Sequence, residues 1–294
     1  MADSDRLIRN ISDTARWAAV YRAEETKRRG ALFSDPFAAK LAGERGRQIF
    51  DSMPPRRRQS WAWVVRTYLF DHFINESLAT GVDMVVNLAA GLDARPYRMA
   101  LPSTLQWIEV DLPEILAYKA EILANDRPAC ALERFAVDLS IAAERRGLFA
   151  MLNSRATRTL VITEGLLLYL DPENVASFAE DLAAQPTFER WILDLASPGL
   201  LKMLQKQLGA QLGAANAPPK FGPAEGPAFF DSHGWRPASV QSMLAAAAGV
   251  YPLPLLMRFF SMFPEPATPG NRPWSGVVLL EKGTQNTEHA VVSA

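Results

Sequence analysis

V-V-N-L-A-A-G-L-D-A-R-P-Y-R, running from Val85 to Arg98, is the stretch on which the fold turns. It opens as an apolar, β-branched run and breaks after Leu88 into a turn holding a glycine, charges and a proline. An apolar run of this kind is the signature of a strand covered on both faces, as in a parallel sheet. In an open α/β sheet, ligands bind beyond the carboxyl ends of the strands, so A-A-G-L-D-A-R is the first place to look for a site. Ala89, Ala90 and Gly91 are small enough to let a ligand approach the backbone. The same residues would also serve a plain strand-to-helix turn, and one glycine stands where a dinucleotide fingerprint carries three.

Outward from this strand, further strand candidates follow at Leu105 to Val110, Arg134 to Val137, Thr159 to Thr163, Trp191 to Ala196, Leu255 to Phe260 and Gly276 to Leu280. Helical stretches separate most of them. Alternation of this kind implies right-handed crossovers and a mainly parallel sheet, so the class is α/β. Upstream, Asp13 to Arg29 reads as a helix ended by Gly30. Asp35-Pro36 then starts a short helix toward Gly43, and another helix spans Gln59 to Ala79. The expected organisation is therefore an N-terminal helical cap over residues 1–80, a core over 81–283 and a flexible tail over 284–294. Between Ser197 and Trp235 the alternation stops in a Pro- and Gly-rich stretch, read as a lid insertion. Its Phe221, Phe229 and Phe230 favour a loop that packs against something.

The 294 residues are 49% apolar and 21% charged, with a formal net charge of -1, which gives no electrostatic reason to expect nucleic-acid binding. One cysteine, Cys130, excludes an intramolecular disulfide, and with three histidines (His72, His233, His289) no Cys/His cluster is spaced for zinc. No run approaches the roughly 18 apolar residues of a membrane span, and the first residues lack the apolar core of a signal peptide. The expectation is a cytoplasmic protein without a metal, a membrane or a nucleic acid among its partners. Nothing in the sequence speaks to oligomeric state.

Acidic residues mark the ends of the strand candidates. Asp111, in I-E-V-D-L-P-E, stands 20 residues beyond Gly91, the spacing of a carboxylate that holds a ribose diol, although it could also cap the helix that Pro113 starts. Asp138, in F-A-V-D-L, can accept a bond from an adenine amino group while Leu139 covers the ring. Glu164, in L-V-I-T-E-G, faces the place of a reacting group, and each of these could instead cap a helix. A dehydrogenase could use the same carboxylates, but a pyrophosphate needs the missing glycines, whereas S-adenosylmethionine has no phosphate.

These motifs together resemble the leucine carboxyl methyltransferase-like group of S-adenosylmethionine-dependent O-methyltransferases, which also includes proteins similar to the tetracenomycin polyketide carboxyl methyltransferase. The resemblance runs from about Thr14 to Lys282 through T-A-R-W-A-A-V-Y-R-A-E-E, V-V-R-T-Y-L-F-D, A-G-L-D-A-R-P-Y-R, E-V-D-L-P and T-E-G-L-L-L-Y-L. It implies a Rossmann-like methyltransferase fold, a seven-stranded sheet with its last strand antiparallel. It further implies that Ala89, Ala90 and Gly91 approach the methionine part of the cofactor and that Asp111, with Leu112 beside it, binds ribose. Asp138 and Leu139 would hold adenine, and Glu164 would lie near the cofactor amino group. Arg66 looks like the family arginine that pairs with the cofactor carboxylate, and either Arg16 or Arg22 would add the second basic contact. The single glycine departs from the more glycine-rich family form.

Methyl transfer from a sulfonium needs alignment and an enclosed apolar site rather than a metal. A carboxylate acceptor is already ionised at neutral pH, whereas a phenol would gain from a general base. His233 is the candidate base, His72 a lesser one, and Tyr169 is a candidate for the acceptor pocket, lined further by Met203, Leu204 and Leu208. The expected acceptor is a small hydrophobic molecule, offered through a carboxylate or a hydroxyl. A phosphatase C-terminus, a cofactor-binding scaffold without transfer and a nicotinamide dehydrogenase are the alternatives.

Overall fold

The computed structural model describes residues 11–52, 61–213, 218–263 and 268–283. The expected tail at 284–294, with His289, lies outside them, as do the first ten residues of the cap, the Gln59 start of the third helix and residues 214–217 of the insertion. In chain order, α1 (Ile11–Lys27), α2 (Ala38–Ser52) and α3 (Trp61–Ala79) precede the first strand. The sheet and its crossovers follow as β1 (Met84–Leu88), α4 (Arg95–Arg98), β2 (Gln106–Asp111), α5 (Pro113–Ile122), β3 (Ala131–Ala136), α6 (Ala142–Asn153) and β4 (Thr159–Thr163). Then come α7 (Pro172–Ala183), β5 (Phe188–Ala196), α8 (Pro198–Gly213), β6 (Trp235–Ser242), α9 (Met243–Val250), α10 (Leu255–Phe260) and β7 (Ser275–Lys282).

The seven strands form one sheet in the order β3-β2-β1-β4-β5-β7-β6. The strands from β1 to β5 are parallel, and β7 runs antiparallel to both β5 and β6, as expected. Chain order reverses between β1 and β4, the crevice where ligands of open sheets bind. Both faces of the sheet are covered, which is why β1 is apolar at every position but Asn87. Val86 and Val161 point to the side of Phe149, Phe178 and Leu182, while Val85 and Leu160 point to the side of Phe70, Phe73 and Ile74 on α3. Each fully buried aromatic of this kind contributes about 1.5–3 kcal/mol. A third cluster, around Trp17, Tyr21, Leu41 and Phe50, fastens α1 and α2 over the carboxyl ends of the strands through Leu92, Ala94 and Ile115.

Two readings are corrected. Leu255 to Phe260, expected to be a strand, forms α10, and every one of its side chains is exposed. An apolar run of six cannot by itself be told from a helix, and here Pro254 sets the helix start. The edge position belongs instead to W-R-P-A-S-V-Q-S, the strand β6, which was not foreseen because Pro237 interrupts it. Proline is tolerated in a strand at an edge and at a bulge, and the register of β6 shifts between Pro237 and Ser239. The short helix expected to run toward Gly43 does break there, where Gly43 takes a non-helical φ of 59°, and a second helical segment carries α2 on to Ser52. Within the insertion, Phe230 is buried edge-on against Trp191, and the buried Phe221 packs against Phe229 and Phe230.

Candidate functional site

The turn after β1 is held from within. Ala89 adopts φ 55° and Gly91 φ 49°, so the chain doubles back twice in three residues. For alanine that conformation is strained, and the surrounding structure has to hold it. Asn87 Nδ2 donates to Asp93 Oδ2 (2.8 Å), Asp93 Oδ1 accepts from the Arg95 N–H (2.9 Å), and Arg95 Nη1 returns to Asp93 Oδ2 (2.8 Å). Arg95 also donates through Nε to Asp71 on α3 (2.6 Å) and through Nη1 to Glu164 (2.8 Å), and Arg98 clasps the same Asp71 with two bonds of 2.7 Å. The D-A-R-P-Y-R half of the opening motif is therefore a buried ion network that fixes the turn to α3 and to the end of β4. Burial opposes ionisation of Asp93, but Arg95, with Lys119, Arg98 and Arg22, holds its carboxyl well below the usual carboxylate range.

Asp111 ends β2 facing this turn. Its Oδ2 accepts from the Gly91 N–H (2.6 Å) and its Oδ1 from the Leu112 N–H (2.7 Å), which leaves lone pairs on both oxygens for a ligand. Burial raises its carboxyl above the ordinary value despite those donors. Beneath it, the buried Glu109 of β2 receives the buried Lys119 of α5 (2.7 Å) and the half-buried Arg134 of β3 (2.9 Å), which fixes α5 behind Leu112.

Glu164 ends β4. Its Oε1 accepts from Arg66 Nε (3.1 Å) and its Oε2 from Arg95. Burial alone would raise its carboxyl, but the Arg95 and Arg66 charges outweigh that and hold it low. Arg66 reaches on to Asp194 Oδ2 on β5 (3.3 Å) and lies over the Trp63 ring. Gly165, at φ 71°, donates its N–H to Asp194 Oδ1 (2.6 Å), and a Cβ there would come within 3.3 Å of Arg66 Nη1. Only glycine admits the guanidinium so close while adopting that φ.

Two cavities open over these strand ends. The first, of about 280 Å³, is lined by Ala89, Ala90, Gly91, Asp111, Leu112 and Glu164, together with Arg22, Arg66 and Tyr169. The second, of about 300 Å³, is lined by Trp17, Trp61, Met203, Leu204, Phe221 and Asp194, and it shares Trp63, Arg66, Gly165 and Tyr169 with the first. The structure thus brings Asp111 and Glu164 to one cleft and places Tyr169, whose hydroxyl burial pushes above its usual pKa, on the wall between the two chambers. Arg22 lines the cleft, tied to Asp35 and to the Leu92 carbonyl, whereas Arg16 stacks on Tyr118 outside it.

Other expected residues are not brought in. Asp138 and Leu139 stand one strand farther out, off the lining of either cavity, and Asp138 Oδ1 accepts from the Ser140 N–H and hydroxyl in a local turn. His233 lies at the opposite end of the sheet: Trp235 pairs with Lys282, whose neighbour Glu281 pairs with Arg190 near the start of β5. Its Nδ1 is 3.0 Å from Glu180 Oε1, so the expected base is not at the cleft. His72 is exposed on α3. The Leu208 side chain lies outside the described residues. Among the described residues no group of three acidic, histidine or cysteine side chains could hold a metal, and no helix is long and apolar enough to cross a membrane.

Asn87, Asp93, Arg95, Trp63 and Asp194 were missed as site residues. Asp194 had a signal: it is the lone acid near the end of W-I-L-D-L-A, and the rule that found Asp111 and Glu164 applies to it equally.

The model of the family described as leucine carboxyl methyltransferase matches residues 15–183. A candidate S-adenosyl-L-methionine-dependent methyltransferase of Frankia alni is 33% identical over 254 residues, covering 83% of this chain and 88% of its own. Another, of Streptomyces avermitilis, is 32% identical over 250 residues, covering 80% and 86%. Among solved structures, a candidate methyltransferase of Thermobifida fusca superposes with a TM-score of 0.59 at 13% identity, over 95% of this chain and 97% of that one, a likeness of fold.

Proposed function

Because the chain belongs to the leucine carboxyl methyltransferase family, we propose that it transfers a methyl group from S-adenosylmethionine to an oxygen, carboxylate or hydroxyl, of a small hydrophobic acceptor. The observation that carries this reading is the pair of chambers joined along Trp63, Arg66, Gly165 and Tyr169. One has the donors and acceptors of a nucleoside and an amino acid; the other is walled by aromatic and aliphatic side chains.

The residues present fit the cofactor. Asp111 keeps lone pairs for the ribose diol, while Leu112 supplies apolar surface beside it. The bare backbone at Ala89 to Gly91 leaves room where a larger side chain would intrude, since even a Cβ at Gly91 would touch Ala15 at 3.4 Å. Arg66 and Arg22 offer guanidinium donors to the carboxylate of the amino-acid end, and Glu164 offers an ionised oxygen to its amino group. In this reading the adenine runs outward to Asp138 and Leu139, beyond the cavity lining. When bound, the cofactor supplies an activated methyl on a sulfonium. The chain contributes alignment across the shared wall and exclusion of water by Trp63, Trp17 and Tyr169.

The test is calorimetry with S-adenosylmethionine, S-adenosylhomocysteine and NAD, followed by labelled-methyl transfer to a panel of aromatic acids and phenols. Micromolar binding of the first two with transfer to oxygen is expected. Binding of NAD alone would replace the reading with a dehydrogenase, and cofactor binding without any transfer would replace it with a scaffold.

A further inference from the structure

Resting on that reading, the polar equipment of the second chamber narrows the acceptor. Its lining is aromatic and aliphatic except for Arg66, Tyr169, Asp194 and Ser275. Arg66 is its one cation among the described residues, and that guanidinium already faces Glu164 at 3.1 Å and Asp194 at 3.3 Å. An acceptor carboxylate entering here would find no cation to itself and would meet the Asp194 carboxylate in a largely apolar space, where like charges repel strongly. A neutral hydroxyl meets the reverse situation. Asp194 Oδ1 is taken by the Gly165 N–H at 2.6 Å, but Oδ2 has a long bond to Arg66 and retains acceptor capacity toward the chamber.

We propose that the acceptor is a neutral hydroxyl, of phenol or enol type, on a flat apolar body, and that Asp194 is the catalytic base that receives its proton. The acceptor O–H bond breaks, the proton passes to Asp194 Oδ2, and the freed oxygen pair forms the bond to the methyl carbon while that carbon's bonding pair leaves with the donor sulfur. Opposite charges on carboxylate and sulfonium are lost together, so an apolar chamber favours the products. The groups facing Asp194 are Arg66 on α3, and Glu164 and Tyr169 beyond β4. Burial outweighs Arg66 and raises the Asp194 carboxyl above its ordinary value, which makes it a better proton acceptor than a solvated aspartate.

The experiment uses the full chain saturated with S-adenosylhomocysteine and a matched probe pair, 2-naphthol and 2-naphthoate, titrated at pH 7.5. Naphthol is expected to bind at least about tenfold tighter than naphthoate, and Asp194→Asn is expected to abolish that preference. In methyl transfer to naphthol, Asp194→Asn should lower kcat about 100-fold or more with KM little changed, and Asp194→Glu should restore part of the loss. Equal binding of the two probes by the unaltered chain, tighter binding of naphthoate or binding of neither overturns the proposal whatever the variants do. Failure of the unaltered chain to bind S-adenosylhomocysteine sinks the cofactor reading beneath it, a separate result seen in the same calorimeter.

Discussion

Asp111→Asn is the substitution that bears most directly on the cofactor cleft. The carboxylate accepts from two backbone N–H groups, Gly91 on Oδ2 and Leu112 on Oδ1, and each oxygen has one further lone-pair direction free. An asparagine of the same shape has one accepting oxygen, so its NH2 must face one of those N–H groups, and it offers a ribose diol a single weakened acceptor in place of two charged ones. Hydrogen bonds to charged groups are worth about 1.5–3 kcal/mol each, so losing one and weakening the other costs about 3 kcal/mol, or roughly two decades in Kd. Calorimetric titration with S-adenosylhomocysteine reads this directly, with circular dichroism confirming that the variant folds. A pH series adds a check on sign. Burial raises the Asp111 carboxyl, and the bound diol prefers the ionised form, so affinity should begin to fall at a higher pH than the ordinary carboxylate value of about 3.9 would give. A change in Kd of less than about threefold would refute the assignment, since no arrangement of the amide replaces both acceptors.

Ala89→Gly should raise Tm by about 2–4 °C, because a left-handed alanine costs about 1 kcal/mol that glycine avoids; an unchanged or lower Tm in a thermal melt would count against the strained turn. Gly165→Ala should do the opposite, with a loss of about 1–2 kcal/mol from its φ of 71° alone and weaker S-adenosylhomocysteine binding from a displaced Arg66, both readable by melt and calorimetry. The Glu164 carboxyl is held low in the folded state, so the stability it contributes is present above its unfolded pKa of about 4.3 and lost as pH falls through the folded value. The Tm difference between the unaltered chain and Glu164→Gln should therefore be constant from neutral pH down to about 5 and shrink in more acidic buffer. His233→Ala, at the far end of the sheet, should leave methyl-transfer kcat within about twofold, and a larger loss would mean that the histidine reaches the reacting atoms after all.

The parts of the fold that could be read from the sequence are those in which burial on two faces imposes the pattern. Val85 to Leu88 and Thr159 to Thr163 sit at the centre of the sheet, covered by α3 on one side and by α6 and α7 on the other, so apolar, mostly β-branched residues dominate there and buried polar ones such as Asn87 and Thr163 are hydrogen-bonded. At the edge that constraint lapses. W-R-P-A-S-V-Q-S pairs with β7 alone and shows water much of its other side, so it carries Pro237 and polar residues that no strand template accepts. L-L-M-R-F-F satisfied the apolar template without being buried at all, because hydrophobicity records what a segment could cover and leaves open whether anything covers it.

The candidate site divides along a similar line. Asp111 and Glu164 were visible because carboxylates at the carboxyl ends of apolar strands stand where an open α/β sheet presents groups to a ligand, although each could also have capped a helix. Asp138 met the same criterion and bonds to Ser140 in its own loop, so the criterion finds strand-end acids without distinguishing those that face a cleft. What distinguishes them is partnership across the fold, which no local pattern encodes. Glu164 is oriented by Arg66 from 98 positions away and by Arg95 from 69, and Arg66 in turn engages Asp194 across 128. Arg66 was assignable only by resemblance, since on its helix it reads as an ordinary solvated arginine. The structure supplies the physical reason for it: one guanidinium bridges two carboxylates on the wall between the chambers. An Arg66 variant should therefore disturb both chambers, whereas an Asp111 variant should act on one.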